Sequence, residues 1–208
     1  MDVGGGPSAR QFHAMATDGF MVYVYGGGDE GAFLGPFLDD LWAWDPQTST
    51  WTQMEHSGPN PNGPAVPLDR FWANLEYDPM FNNLILFGGH DNTSLGNTNQ
   101  VYRYSLDEGR WYREHEGDTF ANPPAGFCDF PDDFVDVDPE SPERRNAGAS
   151  VMTQDGQMLV FGGKTDCGLI NDVWAYDVTT ASWAELSPAT SGQACLRANQ
   201  AGCTTLCY

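Results

Sequence analysis

The amino-acid sequence predicts an all-β protein built from three copies of one four-stranded antiparallel unit. At three places an apolar run rich in β-branched and aromatic residues stops at a pair of glycines. Each run is followed by a segment in which aromatic residues alternate with small or polar ones, which is the period of a β-strand. A second aromatic residue then follows at a constant spacing of 7 residues. Because no window combines a 3.6-residue apolar period with helix caps, we expect almost no helix.

Each unit divides into strands that we call a, b, c and d in chain order. Strand a follows an arginine, and strand b is the apolar run, which is expected to end at the glycine pair. The nearly continuous apolar composition of strand b is typical of a central strand that is covered on both faces. Strand c carries the alternating aromatic residues, and strand d carries the second aromatic residue. Residues that favour turns connect strands c and d, as in Asp45-Pro46-Gln47-Thr48.

The repeated residues have structural explanations. Glycine adopts positive φ and lets another backbone approach closely, so each pair is expected to turn the chain away from strand b against a neighbouring unit. The aromatic residues of strands c and d are expected to fill the space between adjacent sheets. The arginines are expected to be buried and to tie units together through hydrogen bonds of the guanidinium group. We assign these structural roles to Gly26, Gly27, Gly88, Gly89, Gly162, Gly163, Trp44, Trp51, Tyr104, Trp111, Tyr176, Trp183, Arg10, Arg70 and Arg145.

This combination of a glycine-paired strand, a spaced aromatic pair and a four-strand pattern resembles the kelch repeat. The resemblance implies that each unit is a four-stranded blade of a β-propeller, over about 9–54, 69–114 and 143–186, within a blade region 1–186. Residues 187–208 are expected to form a separate Cys-containing tail, the start of a further module. The related galactose oxidase family has a similar propeller as its central domain, with copper held by two histidines and two tyrosines. Those ligands do not map onto this chain, so the resemblance implies the architecture and not the oxidase chemistry.

Three blades do not close a ring, because propellers usually contain about 4–8 blades. An open arc would expose apolar sheet faces at both ends. The blades are therefore expected to belong to a larger ring, with a stable open arc as the alternative. Either further blades of a longer chain or another copy of this chain would complete the ring.

The long connections of the three units are predicted to share one face. In an up-and-down blade, the b–c loops lie on the same side as the connections from strand d to the next unit, and we call this side the long-loop face. Long irregular loops on a rigid scaffold commonly carry binding sites. The candidate binding residues on this face are Asp29, Glu30, His56, His90, Asp91, Asn92, His115, Lys164, Thr165 and Asp166.

The acidic composition limits the kinds of partner. The chain has 29 Asp and Glu against 9 Lys and Arg, a formal net charge of −20, and Lys164 is its only lysine. Binding to phosphate backbones needs clustered Lys and Arg, so nucleic acid is excluded and an anionic membrane surface is disfavoured. No apolar run reaches the roughly 20 residues that a membrane helix needs, so no membrane insertion is expected.

The favoured function is a non-enzymatic binding or scaffold module that presents a loop-lined acidic face to a protein or glycan partner. Two alternatives stay open, namely a fragment of a propeller oxidoreductase, such as a galactose-oxidase-like enzyme, and a structural spacer at a surface. No catalytic residue is predicted, because the sequence contains no nucleophile elbow, HExxH motif or phosphate-binding loop. No cofactor is predicted, apart from calcium as a weak candidate.

The calcium candidate lies in the connection 115–143, which contains nine acidic residues. Clustered carboxylates suit hard cations such as calcium. The segment lacks the spacing and the glycine of an EF-hand loop, so a solvated acidic loop is the alternative. The candidate ligands are Asp132, Asp133, Asp136 and Asp138.

Five cysteines bear on the compartment. Cys128 and Cys167 are both expected on the long-loop face, where a disulfide between them is plausible. Cys195, Cys203 and Cys207 lie in the tail and match neither a zinc nor a haem motif. Disulfides favour an extracellular or cell-surface location. The start of the chain lacks the basic and apolar regions of a secretory signal.

Overall fold

The computed structural model describes residues 5–31, 36–54, 67–91, 96–117, 140–165 and 168–189. These residues form strands, turns and irregular segments without any helix, which confirms the all-β prediction. In particular, none of these ranges contains a helix that could span a membrane. In chain order the strands are β1 (Ala14–Thr17), β2 (Val22–Gly28), β3 (Phe37–Asp45), β4 (Thr50–Gln53), β5 (Arg70–Phe71), β6 (Asn74–Asp78), β7 (Asn83–Phe87), β8 (His90–Asp91), β9 (Gly96–Asn97), β10 (Val101–Ser105), β11 (Arg110–His115), β12 (Arg145–Asn146), β13 (Ala149–Met152), β14 (Gln157–Thr165), β15 (Gly168–Asp177) and β16 (Ser182–Ser187).

The strands form three antiparallel sheets with the predicted a-b-c-d order, which we call blades 1, 2 and 3. Blade 1 has the order β1-β2-β3-β4, blade 2 has β6-β7-β10-β11, and blade 3 has β13-β14-β15-β16. Short strands add to this pattern before strand a and between strands b and c. Strand β12 pairs with the far end of β14, and β5, β8 and β9 form a small sheet of their own.

The constant spacing of 7 residues between the aromatic residues reflects the c–d hairpin. In each blade the two residues are direct cross-strand partners, as for Tyr104 with Trp111 and Tyr176 with Trp183. Their ring centroids lie 5.1 Å and 5.0 Å apart. Paired aromatic rings on one face of a hairpin stabilise the sheet and fix its register.

The glycine pair ends strand b in blade 2, as expected from the sequence, but in blades 1 and 3 the strand continues past the pair. In blade 3 the strand continues through Gly162 and Gly163 to Thr165, with a register shift at the pair, and blade 1 shows the same shift before Gly27. Both glycines of every pair have positive φ, as expected, with values of 58° and 115° in blade 3. In blades 1 and 3 the pair therefore forms a bulge, which bends a strand without ending its pairing. The predicted b–c loops follow the glycine pairs, at 28–39, 90–99 and 164–171, and parts of them are paired strand segments that form the arms of hairpins.

Apolar side chains fill the space between neighbouring blades. One buried cluster joins blades 1 and 2, and a second joins blades 2 and 3. The rings of Tyr25 in blade 1 and Trp111 in blade 2 lie 5.5 Å apart, and those of Phe87 in blade 2 and Trp183 in blade 3 lie 4.8 Å apart. The two interfaces thus repeat the same contact between strand b of one blade and strand d of the next.

The a strands are the inner strands of the arc, since β6 contacts both β1 and β13. Between blades 2 and 3 they are joined by polar contacts. Asn74 Nδ2 donates to the Gly148 carbonyl over 2.9 Å, and the Ser150 hydroxyl donates to Glu76 Oε1 over 2.6 Å. The blades therefore stand side by side in chain order.

Candidate functional site at the long-loop face

Buried arginines support the long-loop face from below. Arg10 of blade 1 forms two bonds with Asp40, of 2.6 Å and 2.9 Å, and Arg145 of blade 3 forms two bonds with Asp172, of 2.5 Å and 2.7 Å. Each carboxylate also accepts a hydrogen bond from the indole two residues later on strand c, as Asp172 does from Trp174. Such bidentate pairing with a carboxylate suits the planar guanidinium group.

Blade 2 lacks the acid at this position. Arg70 is as buried as Arg145, but its guanidinium donates to Gln100 Oε1 over 3.3 Å and to the Gly88 carbonyl over 3.0 Å. It also lies 5.5 Å from the ring centroid of Tyr102. The charge of Arg70 is therefore met in these contacts by neutral acceptors and an aromatic face.

The arginine side chains bind within their own blades rather than between blades, which corrects the expectation from sequence. The guanidinium groups of Arg10 and Arg145 reach the first glycine of their own blade's pair, at 3.0 Å and 3.2 Å. The neighbouring blade is contacted by the main chain instead, because Gly89 N donates to the Arg145 carbonyl over 2.9 Å. The acid on strand c of blades 1 and 3 attracts the side chain, while the missing Cβ of glycine lets the carbonyl of the next blade approach.

A main-chain relay joins the three blades next to these arginines. Phe12, Trp72 and Ala147, each two residues after an arginine, have φ of 59°, 56° and 54°. Trp72 N donates to the Phe12 carbonyl over 2.8 Å, and Ala147 N donates to the Trp72 carbonyl over 3.0 Å. Left-handed backbone is strained for residues with a side chain, so the repeated bonds hold this conformation in place.

Aromatic rings cover the junction of blades 1 and 2 at this face. Phe71 is buried at the centre, 4.5 Å from Phe37, 4.7 Å from Trp72 and 5.1 Å from His90 between ring centroids. Phe12 lies 4.6 Å from Trp72. Phe12, Trp72 and His90 are partly exposed. Partly exposed aromatic residues above a rigid base are typical of protein-binding surfaces.

A polar network fixes the arms of blades 2 and 3 to each other. Asn146 Nδ2 donates to Asn97 Oδ1 over 2.5 Å, and Asn97 Nδ2 donates to the Lys164 carbonyl over 3.3 Å. His90 Nδ1 lies 3.3 Å from the same Asn97 oxygen. Sequence reasoning missed Asn97 and Asn146. Asn146 directly follows a repeated arginine, which was the available signal.

The predicted binding residues are placed at different depths. Asp29 and Glu30 are exposed, and Asp29 Oδ1 accepts a bond from Gly31 N over 2.8 Å. Lys164 is partly exposed, and so is His115, whose Nδ1 accepts from Gly117 N over 3.1 Å. Thr165 is only 3% exposed, so it belongs to the support of an arm and is not a contact residue.

The remaining predicted residues lie at the edge of the described residues or outside them. Asp91 pairs through its backbone with Arg70 and Gly96. Outside the described residues lie the predicted binding residues His56, Asn92 and Asp166, the calcium candidates Asp132, Asp133, Asp136 and Asp138, and the cysteines Cys128, Cys167, Cys195, Cys203 and Cys207.

Electrostatics near the arginines follow from burial and pairing. Burial acts to raise the pKa of Asp40, but bonds from Arg10 and the Trp42 indole outweigh it and lower this pKa below its usual value. Burial and the positive charge of Arg10 lower the pKa of His13. Among the described residues, no three His, Cys, Asp or Glu side chains are grouped so as to hold a metal ion.

Comparison with known proteins agrees with this architecture. The Kelch motif profile matches residues 9–56 and 145–190. Leucine-zipper-like transcriptional regulator 1 of Homo sapiens is 22% identical over 190 residues, which cover 90% of this chain and 19% of that protein. Host cell factor of Drosophila melanogaster is 24% identical over 195 residues, which cover 90% of this chain and 12% of that protein. Kelch domain-containing protein 10 of Homo sapiens is 26% identical over 194 residues, which cover 88% of this chain and 36% of that protein.

The chain thus spans only about a fifth of the length of the first curated relatives it matches. Its three sheets repeat one strand order, one glycine pair with positive φ and one aromatic hairpin pair. Two of the three corresponding sequence segments match the Kelch motif directly. The sheets are β-propeller blades, and the chain carries kelch repeats, as the sequence resemblance implied.

Proposed function

We propose that this protein is a non-enzymatic scaffold that binds a protein partner through its long-loop face. The observation that carries the proposal is the fixed base of this face. The Asn97–Asn146 bond and the main-chain relay through Trp72 hold the ends of all three blades in one arrangement. A preorganised base lets the connections above it bind a partner with less loss of conformational entropy.

The charge of the chain indicates a basic partner surface. Asp29 and Glu30 are exposed on this face, and the whole chain carries a formal net charge of −20. Opposite charge on the partner would speed encounter and select against acidic proteins. The rings of Phe12 and Trp72 would supply the apolar part of the contact.

The names of the relatives support a role in protein assemblies. One relative is named a transcriptional regulator and another a host cell factor. Because a fold alone does not specify a function, the proposal depends on the surface itself.

Affinity capture from an extract of the source organism tests the proposal. The bait is the full chain, compared with the double variant Asp29→Lys and Glu30→Lys and with Asp107→Lys and Glu108→Lys. The second pair is an adjacent, exposed acidic pair on the c–d turn of blade 2, at the opposite face, and it changes the charge by the same amount. Circular dichroism and thermal melting check that all three chains fold.

Quantitative mass spectrometry should show specific proteins that the long-loop variant loses at least about tenfold and the opposite-face variant retains. Equal retention by both variants would contradict a role for this face. A glycan array tests the alternative partner class, a glycan. Binding to neutral glycans without any protein partner would replace the proposed function with carbohydrate recognition.

We also propose an extracellular or cell-surface location, on the basis of the cysteines. A Cys128–Cys167 disulfide requires an oxidising compartment. Non-reducing alkylation followed by mass spectrometry should leave at least these two thiols unmodified in protein purified from its native source. Labelling of all five cysteines would contradict both the disulfide and the location.

A further inference from the structure

The last residue of strand b before each glycine pair shows where the arc of blades is open. Tyr25 in blade 1 and Phe87 in blade 2 are 1% and 0% exposed, because the next blade covers them. Phe161 occupies the same position in blade 3 and is 55% exposed. Val151, on the neighbouring strand and the same side of the sheet, is 56% exposed. We call the side of blade 3 that carries Phe161, Leu159 and Val151 its trailing face.

The opposite end of the arc shows the complementary pattern. Met15 in blade 1 is 61% exposed, whereas its equivalent Leu75 in blade 2 is 3% exposed beneath blade 1. Trp44 and Trp51 are partly exposed, while the corresponding pairs in blades 2 and 3 are buried. We call the side of blade 1 that carries Met15, Trp44 and Trp51 its leading face.

We propose that the trailing face of blade 3 docks on the leading face of blade 1 of a second copy of this chain. The two internal interfaces already join a trailing face to a leading face, so this contact would continue an existing interface. A head-to-tail contact closes into a ring when the rotation allows it. Among multiples of three blades, only six falls within the usual range of about 4–8, so a ring built from copies of these three blades contains two chains.

The internal interfaces specify the contacts of the new one. Tyr25 packs on Trp111 and Phe87 packs on Trp183, so Phe161 is expected to pack on Trp51 of the second copy. Glu76 of blade 2 contacts Ser150 of blade 3 between the inner strands. Val151 occupies the position of Glu76 in blade 3, and Met15 occupies the position of Ser150 in blade 1. Val151 is therefore expected to contact Met15 of the second copy. Both Val151 and Met15 are apolar and largely exposed, which fits an apolar contact buried on docking.

Two features of the chain shape the association. Gly6 lies so near the Trp51 indole that a Cβ on Gly6 would be 2.6 Å from Trp51 Cδ1. Packing of Phe161 on Trp51 therefore displaces Gly6. Each chain also carries a formal charge of −20, which opposes pairing. Salt screens charge while leaving apolar contact intact, so raising the salt concentration should strengthen the dimer. An ionic interface would weaken under the same change.

Sedimentation velocity of the full chain over a range of concentrations and salt tests the proposal. The expected species has twice the 22.8 kDa mass of one chain. Val151→Asp and Met15→Lys should each weaken the dimer by at least about tenfold. The double variant Val151→Asp and Met15→Lys should restore it, because the two charges would face each other at both contacts of the ring.

Phe81→Asp provides the matched control. Phe81 is a 49% exposed aromatic residue on the a–b turn of the central blade, away from both open faces, so this variant should dimerise like the unmodified chain. A monomeric unmodified chain at all concentrations would overturn the proposal and assign the two faces to other segments of its own polypeptide or to other kelch blades. The proposed register would be overturned if Val151→Asp and Met15→Lys each dimerised like the unmodified chain. It would also be overturned if the double variant failed to restore dimerisation.

Discussion

Gly88 of blade 2 lies directly against the main chain of Arg145 in blade 3. A Cβ on Gly88 would stand 2.8 Å from the Arg145 carbonyl oxygen, and Gly26 has the same relationship to Arg70 at 2.6 Å. A separation below 3 Å from backbone cannot be relieved by a side-chain rotation. Gly26 and Gly88, the first glycines of the pairs in blades 1 and 2, are therefore contact points with the next blade.

Gly88→Ala is expected to destabilise the protein by roughly 3 kcal/mol or more, because it combines a clash between blades with a left-handed backbone. Gly19→Ala is the control, since Gly19 also has positive φ but no atom within 4 Å of the added methyl group. That variant should lose only about 1–2 kcal/mol for the conformation. Urea unfolding followed by tryptophan fluorescence measures both. Equal losses would show that the close approach has no energetic weight.

The buried pair of Arg145 and Asp172 should be strongly coupled to stability. Asp172→Asn leaves the guanidinium charge uncompensated in the interior, which is expected to cost about 3–5 kcal/mol. Glu116→Gln is the control, because Glu116 is 70% exposed at 3.4 Å from Arg113 and should matter by less than about 0.5 kcal/mol. Thermal melting at neutral pH separates the two cases. A small effect of Asp172→Asn would mean that the neutral amide satisfies Arg145, as Gln100 does for Arg70.

Gln100→Glu should stabilise the protein, since it supplies Arg70 with the charged partner that the other two blades have. Gln100 Oε1 already accepts from Arg70 Nη2 at 3.3 Å, so the change alters charge with little change in shape. The expected gain is about 1 kcal/mol at pH 7. Gln154→Glu, on an exposed turn, controls for the added negative charge. A loss of stability that only Gln100→Glu shows would indicate that desolvation of the carboxylate outweighs its attraction to Arg70.

The c–d hairpins were predictable because their signal is local. A spacing of 7 residues makes Trp44 and Trp51 direct partners across a short turn, and both side chains then lie on one side of the sheet. The role of the glycine pairs was only half predictable. Positive φ follows from the residue type, whereas continuation of the strand past Gly162 depends on pairing with Ile170 and Leu169 across the hairpin.

The base of the site was less predictable, since its contacts depend on the relative position of the blades. The acid on strand c recurs as Asp40 and Asp172 two residues before the first tryptophan, yet sequence reasoning assigned the arginines to neighbouring blades. The Asn97–Asn146 bond joins residues 49 positions apart. No periodic pattern links such a pair, so it emerges only once the arms stand side by side.

Acid should weaken blade 1 through the pairing of Asp40. Since the folded-state pKa of Asp40 is lowered, the carboxylate adds stability above its unfolded pKa of about 4, and this contribution disappears as the pH falls through the lower folded-state value. The difference in unfolding free energy between the unmodified chain and Asp40→Asn should therefore be largest near pH 6–7 and shrink on acidification below about pH 4. Urea unfolding from pH 7 to pH 3 measures it, with the exposed Glu30→Gln as control. A difference that stays constant over this range would mean that the carboxylate charge does not contribute to the Arg10 contact.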